Sequence, residues 1–341
     1  MDDAVASRPR NPTPPPGGTP VLTDLPLPEL ATYRSSQRTP DDFADFWADT
    51  LAEAAGHDLD VRLREVPTGL TTLVTYDVTF RGFAGQDVRA WLRLPAGATT
   101  ALPTVVEYVG YGGGRGHALA NLLWASAGFA HLQMDTRGQG SSWSVGETPD
   151  PAVATPQVPG VLTRGIGDPA DYYYRRFLTD AVRAVDAARS LPQVDPARVA
   201  VLGSSQGGGA ALAVAGLRTD LAAVVSFVPF LCDFPRATRI TNAYPYREVA
   251  DYLAVHRESI ERVHRTLAYF DGVNFARRAT APALFSVALM DATCPPSTVY
   301  GAYHAYAGPR ELLVWEYNGH EGGGILDEAR ALDFLRARLA G

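Results

Sequence analysis

The chain has 341 residues, 46% hydrophobic and 20% charged, which is enough apolar material for a large core and too much for wholesale disorder. A net charge of −7 without a long basic run argues against nucleic acid or an anionic membrane as a partner. The two cysteines, Cys232 and Cys294, make neither a disulfide framework nor a zinc pattern.

No apolar run has the length of a signal-peptide core or of a bilayer span, so the sequence predicts a cytoplasmic protein without a membrane partner. Residues 1 to 20 are rich in Pro and Gly and read as a flexible tail ahead of a single domain over 21–341. From Asp41 to Leu51, Phe43, Phe46, Trp47 and Leu51 fall on one face of a helix whose start is acidic. Val74–Phe80 and Val88–Leu94 alternate apolar and polar residues and predict an antiparallel hairpin. Thr104–Val109 is the first core strand and Phe129–Met134 the next, followed by the polar turn Asp135-Thr136-Arg137-Gly138-Gln139-Gly140. Residues 141–170 hold many Pro and Gly; they predict an inserted segment folded onto the sheet or onto another subunit. Phe177 to Leu191 has helical spacing, Arg198–Leu202 is a β-rich run, and Gly209–Leu217 suits a helix. Val224–Val228, Ala283–Leu289 and Leu312–Trp315 are three more strands. Residues 246–270 are mostly helical, and Ile325–Leu339 closes the chain as a helix. Strands alternating with helices predict an α/β protein with a mainly parallel sheet covered on both faces.

The stretch between the run at 198–202 and the helix at 209 contains G-x-S-x-G, filled by Gly203, Ser205 and Gly207. A serine hydroxyl is a poor nucleophile unless a sharp strand-to-helix turn holds it beside a base. Such a turn needs small residues two before and two after the serine. The Gln206 amide at the helix start would help hold an oxyanion. In this architecture an acid and then a histidine follow the serine, at later strand ends. Asp291 stands two residues beyond the strand ending at Leu289, and His320 lies in the Gly-rich loop after Trp315. The rival Asp271 precedes its strand, and Cys294 lacks a histidine of its own and reads as packing. His320-Glu321 is not a metal motif, since residue 324 is Gly rather than His. The glycine-rich Val109–Gly116 loop fits a second oxyanion donor, at Tyr111 or a neighbour. A phosphate-binding reading of that loop lacks the Lys-Ser/Thr pair.

With these residues assembled, the chain resembles the acetyl xylan esterase / cephalosporin C deacetylase family, carbohydrate esterase family seven. The resemblance runs from about Leu25 to the C-terminus. It rests on Arg137-Gly138-Gln139-Gly140, Gly203-Ser204-Ser205-Gln206-Gly207-Gly208, Asp291 with Cys294-Pro295-Pro296-Ser297-Thr298, and His320-Glu321. The segments Tyr172–Arg176 and Tyr269–Phe275 add to it. It implies an α/β-hydrolase fold, no metal or cofactor, and deacetylation of small acetylated sugars and of cephalosporin C. It also implies a homo-hexamer with sites facing an internal cavity. It makes Ser205 the nucleophile, His320 the base and Asp291 its orienter, with the amides of Tyr111 and Gln206 as oxyanion hole. Arg137 and Gln139 become structural residues tying the elbow to the sheet. Ser204 stands where a glycine is usual, and the Pro-rich tail is extra. An acyltransferase or peptidase of the same fold and an inactive scaffold are the competing readings. Only about 100 residues precede the first core strand, too few for a peptidase's propeller.

Overall fold

The structure is a computed structural model that describes residues 22–151 and 160–340. The tail expected over residues 1–20 lies outside the described residues.

Nine strands form one sheet: β1 (Arg62–Val66), β2 (Leu73–Arg81), β3 (Asp87–Pro95), β4 (Leu102–Tyr108), β5 (Ala130–Met134), β6 (Val194–Ser204), β7 (Ala223–Phe227), β8 (Ala283–Ala288) and β9 (Arg310–Trp315). Their order is β1-β2-β3-β5-β4-β6-β7-β8-β9. From β5 to β9 neighbouring strands run parallel, while β1, β2 and β3 add an antiparallel extension. The hairpin appears as expected, with Val78 opposite Ala90. β1 was not anticipated: four of its five residues are exposed, so it has no apolar alternation to read.

The described helices are α1 (Leu27–Thr32), α2 (Phe43–Ala55), α3 (Leu123–Ser126), α4 (Tyr173–Arg189), α5 (Gln206–Leu217), α6 (Phe234–Ile240), α7 (Tyr246–Val255), α8 (Ile260–Ala268), α9 (Gly272–Ala276), α10 (Pro296–Ala305) and α11 (Ile325–Leu339). None of them is long and apolar enough to cross a membrane. The strand period of two sorts the core into two layers. Val106 and Tyr108 of β4, with Val199 and Val201 of β6, face α4 and α5. Val105, Ala200 and Leu202 face the opposite way, towards Phe334 and Leu335 of α11.

The inserted segment is held by its own chain. Val161, Leu162 and Ile166 are buried in the larger core layer, while Trp143 and Val145 are exposed. Residues 135–151 are fixed by buried charge instead. Asp135 accepts the amides of Arg115, Thr136, Glu147 and Thr148, and the Thr148 hydroxyl. Asp150, also buried, takes a two-pronged pair from Arg176 at 2.8 Å on each oxygen.

Arg137 closes this network. Its Nε and Nη2 donate to Asp180 of α4 at 2.5 and 2.9 Å, and Nη1 reaches Gln86 at 2.7 Å and Asp150 at 3.4 Å. The guanidinium is fully buried, and its acidic neighbours hold its pKa above the usual value against the cost of burial. Arg137 therefore ties α4 and the inserted segment to the end of β5, and among the described residues its side chain has no hydrogen bond to the elbow. Removing one member of a buried ion pair strands the other charge. Arg137→Ala should cost about 3–5 kcal/mol in urea unfolding, with a much smaller change in KM. A variant as stable as the original chain but with weakened substrate affinity would place Arg137 against substrate instead.

Candidate active site

β6 ends at Ser204 and α5 starts at Gln206, so Ser205 alone makes the turn, at φ 56° and ψ −119°. Side chains rarely adopt this conformation, and it persists only where the surroundings enforce it. Here the Ser205 amide donates to the Phe227 carbonyl at 2.9 Å, and the Ser205 carbonyl accepts the Phe230 and Gly209 amides. A Cβ on Gly203 would stand 2.2 Å from the Gly207 carbonyl carbon, and one on Gly207 would stand 2.0 Å from the Tyr108 carbonyl oxygen. The two glycines of the motif are thus required by backbone-to-backbone approach. The helix starts three residues earlier than its Ala-rich run suggested, because Gly207 and Gly208 read as turn in a sequence and as contact surface in the fold.

The turn aims Ser205 at the two residues expected beside it. Ser205 Oγ lies 2.9 Å from His320 Nε2, and His320 Nδ1 lies 2.8 Å from Asp291 Oδ2. The other oxygen of Asp291 accepts the amides of Thr293 and Cys294 at 2.8 and 2.9 Å. Asp291 is fully buried and is fixed by its own loop, while His320 remains open to the cavity. With Asp291 as acceptor, the imidazole carries its proton on Nδ1 and offers the Nε2 lone pair to the serine hydroxyl.

Asp291, Cys294 and His320 offer donor atoms within 4.8 Å of one another, a grouping that could suit a metal. Both Asp291 oxygens are already engaged, and burial pushes the Cys294 thiol well up, which keeps the weakly donating thiol form. The donor set fits a hydrogen-bonded triad with a packing cysteine. Asp271 is committed elsewhere: it caps α9 through the Val273 amide and accepts the amides of Asp233 and Phe234. His131, inside β5, is paired with Glu107 at 2.7 Å.

The Tyr111 and Gln206 amides have no acceptor among the described residues, and both belong to segments lining the same cavity as Ser205. Their loops are tied by side chains. Gln139 accepts the Gly112 amide at 2.6 Å and donates to Gln206 Oε1 at 2.9 Å, so it joins the glycine loop to the elbow directly. Gln206 Nε2 donates to the Val109 carbonyl, and Tyr174 donates to Gln206 Oε1. Trp143, in the inserted segment, covers the glycine loop and donates to the Tyr111 carbonyl at 2.8 Å. The Tyr111 hydroxyl donates to Glu248 of α7 at 2.6 Å and accepts the Val161 amide, while the other Glu248 oxygen accepts the Leu162 amide.

These groups border a cavity of about 720 Å³ with Ser205 and His320 in its wall, Trp143, Tyr244 and Pro245 on one flank, and Glu107, Asn121 and Gln133 on another. Trp143 and Tyr244 escaped the sequence reading because segments without periodicity give no hint of where they fold; Glu248 sits on the helix expected over 246–270, whose spacing does not show what that residue faces. Glu107 did leave a signal: it is the only charged residue in the apolar strand Thr104–Val109.

The sheet order and the strained turn between β6 and α5 define an α/β-hydrolase fold, with Ser205, His320 and Asp291 as its candidate site. Residues 21–338 match the acetyl xylan esterase (AXE1) family, and the chain belongs to that family of carboxylic-ester hydrolases. It is similar to the solved acetyl xylan esterase from Paenibacillus sp. R4, with 39% identity and a TM-score of 0.88 over 92% of this chain and 100% of that one. It is also similar to acetyl xylan esterase 1 from Thermoanaerobacterium sp. JW/SL YS485, with 32% identity and a TM-score of 0.84 over 92% of this chain and 99% of that one. Acetyl esterase Axe7A of Xylanibacter ruminicola is 28% identical over 296 residues, 83% of this chain; the match spans 64% of that relative's length.

The Tyr111–Glu248 contact gives a pH-dependent outcome. Burial raises the Glu248 carboxyl to about 7, partly offset by Tyr111, the Leu162 amide and Arg164. A carboxyl with a raised folded pKa binds its proton more tightly folded than unfolded. Its stabilisation is therefore complete below the unfolded value and is lost as pH rises through the folded one. Glu248→Gln, which stays neutral, should gain thermal midpoint relative to the original chain between pH 5 and pH 8. A gap between the two melting curves that does not change with pH would show that Glu248 does not titrate in that window.

Proposed function

We propose that the chain is a serine esterase that removes acetyl groups from small acetylated carbohydrates, such as acetylated xylo-oligosaccharides, through an acetyl-enzyme. The observation that carries this reading is the unbroken line Ser205 Oγ, His320 Nε2, His320 Nδ1, Asp291 Oδ2, with both links under 3 Å. Membership of the acetyl xylan esterase family supports the acetyl ester as substrate.

In this mechanism Ser205 attacks the acetyl carbonyl while His320 Nε2 takes its proton, and Asp291 steadies the imidazolium through Nδ1. The developing oxyanion lies between the amides of Tyr111 and Gln206. His320 returns the proton to the departing sugar oxygen. Water then attacks the acetyl-enzyme by the same route, releasing acetate and restoring Ser205. Cephalosporin C carries an acetyl ester of the same kind and is a second substrate that the family resemblance supports. The resemblance also supports a homo-hexamer of about 220 kDa, six copies of the 36.5 kDa chain, which light scattering would weigh.

Ser205→Ala and His320→Ala should each lower kcat for p-nitrophenyl acetate by about 10⁴-fold while keeping the fold, because the three residues act as a unit. Asp291→Asn should be nearly as harmful, since an amide there favours the wrong imidazole tautomer. Turnover near the original level in folded Ser205→Ala would remove the serine mechanism. A chain that cleaves a peptide substrate but not the acetate would favour a peptidase instead.

A further inference from the structure

The polar flank of the cavity has a construction of its own. Glu107 of β4 stands opposite Gln133 of β5 in the parallel register and beside Leu202 of β6. Ser204 lies two residues beyond Leu202, on the same face of the sheet. Three adjacent strands thus present Glu107, Gln133 and Ser204 side by side, next to the nucleophile, and Asn121 from the loop before α3 completes the group.

Each side chain except Ser204 is anchored at one end and open at the other. Glu107 Oε2 accepts both His131 Nε2 at 2.7 Å and Asn121 Nδ2 at 2.8 Å, while Oε1 has no partner among the described residues. Gln133 Oε1 accepts the buried Arg93 guanidinium at 3.0 Å, which leaves its Nε2 donors free. Asn121 keeps its Oδ1 free, at a left-handed φ of 58°. Ser204 Oγ has no partner among the described residues and is exposed. None of these open atoms is sealed from solvent without a partner, so each opens to water or to the cavity. His131 and Arg93, both buried, fix the anchored ends and so set the direction of the open ones. The result is an alternation of acceptors and donors, one acceptor being a carboxylate, which suits neighbouring hydroxyl groups that each donate and accept.

We propose that Glu107, Asn121, Gln133 and Ser204 form the subsite that binds the free hydroxyl groups of a polyhydroxylated alcohol, the half of the ester that leaves. This rests on the esterase reading of Ser205 for its role in turnover, but not for its binding. A site built to hydrogen-bond hydroxyls discriminates strongly against an alcohol that lacks them, because its polar groups then stay unpaired. The Trp143 and Tyr244 flank offers no such penalty.

Two esters of equal ring size read the subsite: a monoacetylated xylose and cyclohexyl acetate. The ratio of their kcat/KM values should fall about tenfold or more in Asn121→Gly, which keeps the left-handed backbone, and in Ser204→Ala. A general loss of activity or folding lowers both rates together and leaves the ratio in place. Ratios within about twofold of the original in both variants overturn the subsite. Calorimetric titration with xylobiose reads the same residues without turnover. Binding weakened about tenfold in either variant supports the subsite. Equal binding in the original chain and both variants, or no binding by the original chain, overturns it. An original chain that binds xylobiose but hydrolyses neither ester ends the esterase reading and leaves the subsite standing.

Discussion

The contact between the Gly207 backbone and the Tyr108 carbonyl is the constraint on which the site depends. β4, β6 and α5 meet there without side chains between them, and only that closeness lets one residue turn the chain from strand to helix. A conformation like that of Ser205 costs about 1–3 kcal/mol. The Phe227, Phe230 and Gly209 backbone bonds and the packing of α5 on both neighbouring strands offset it. Val228, Leu231 and Asp233, in the stretch after β7, also stand at positive φ, and the β4–β6 pairing has its register shift at the far end, between Leu102 and Thr104.

The rest of the site is held by polar side chains from distant parts of the sequence. Gln139 and Gln206 join the glycine loop to the elbow, Trp143 caps the loop from outside, and Glu248 pins the Tyr111 ring from α7. A loop of glycines has no packing of its own, so its shape is the shape of these bonds. Gln139, Gln206 and Glu248 each use both of their ends, the condition under which a polar network rigidifies rather than destabilises a core. Asp291 follows the same rule, with two amides on one oxygen and His320 on the other.

The sequence carried the sheet and the triad because both are written locally. Apolar runs bounded by turns show strands, G-x-S-x-G shows the elbow, and the order of chain segments brings Asp291 and His320 to neighbouring strand ends. It carried much less of what surrounds the triad. α6, α9 and α10 are short and sit against the core by contacts with distant residues, so their own spacing says little. Arg137 was legible as a structural residue but not its partners: Asp180 lies on the far side of the inserted segment in sequence and against Arg137 in space. The 141–170 segment illustrates the same limit. Its lack of periodicity suggested a segment in need of cover, and only tertiary structure shows that Val161, Leu162 and Ile166 are buried and that Arg176 of α4 holds Asp150.

The exposed strand β1 bears on how this molecule meets its neighbours. It ends the sheet, and a free strand edge is an open template for another chain's backbone. Arg62 and Arg64 lie along it, paired with Asp87 of β3 and Asp77 of β2. A second copy docking edge to edge would bring the same arginines together and disturb those pairs. The hairpin extension thus moves one end of the sheet away from the strands that carry Ser205 and its partners and finishes it in charge. At this end the parallel strands present no open edge, and the opposite edge falls to β9.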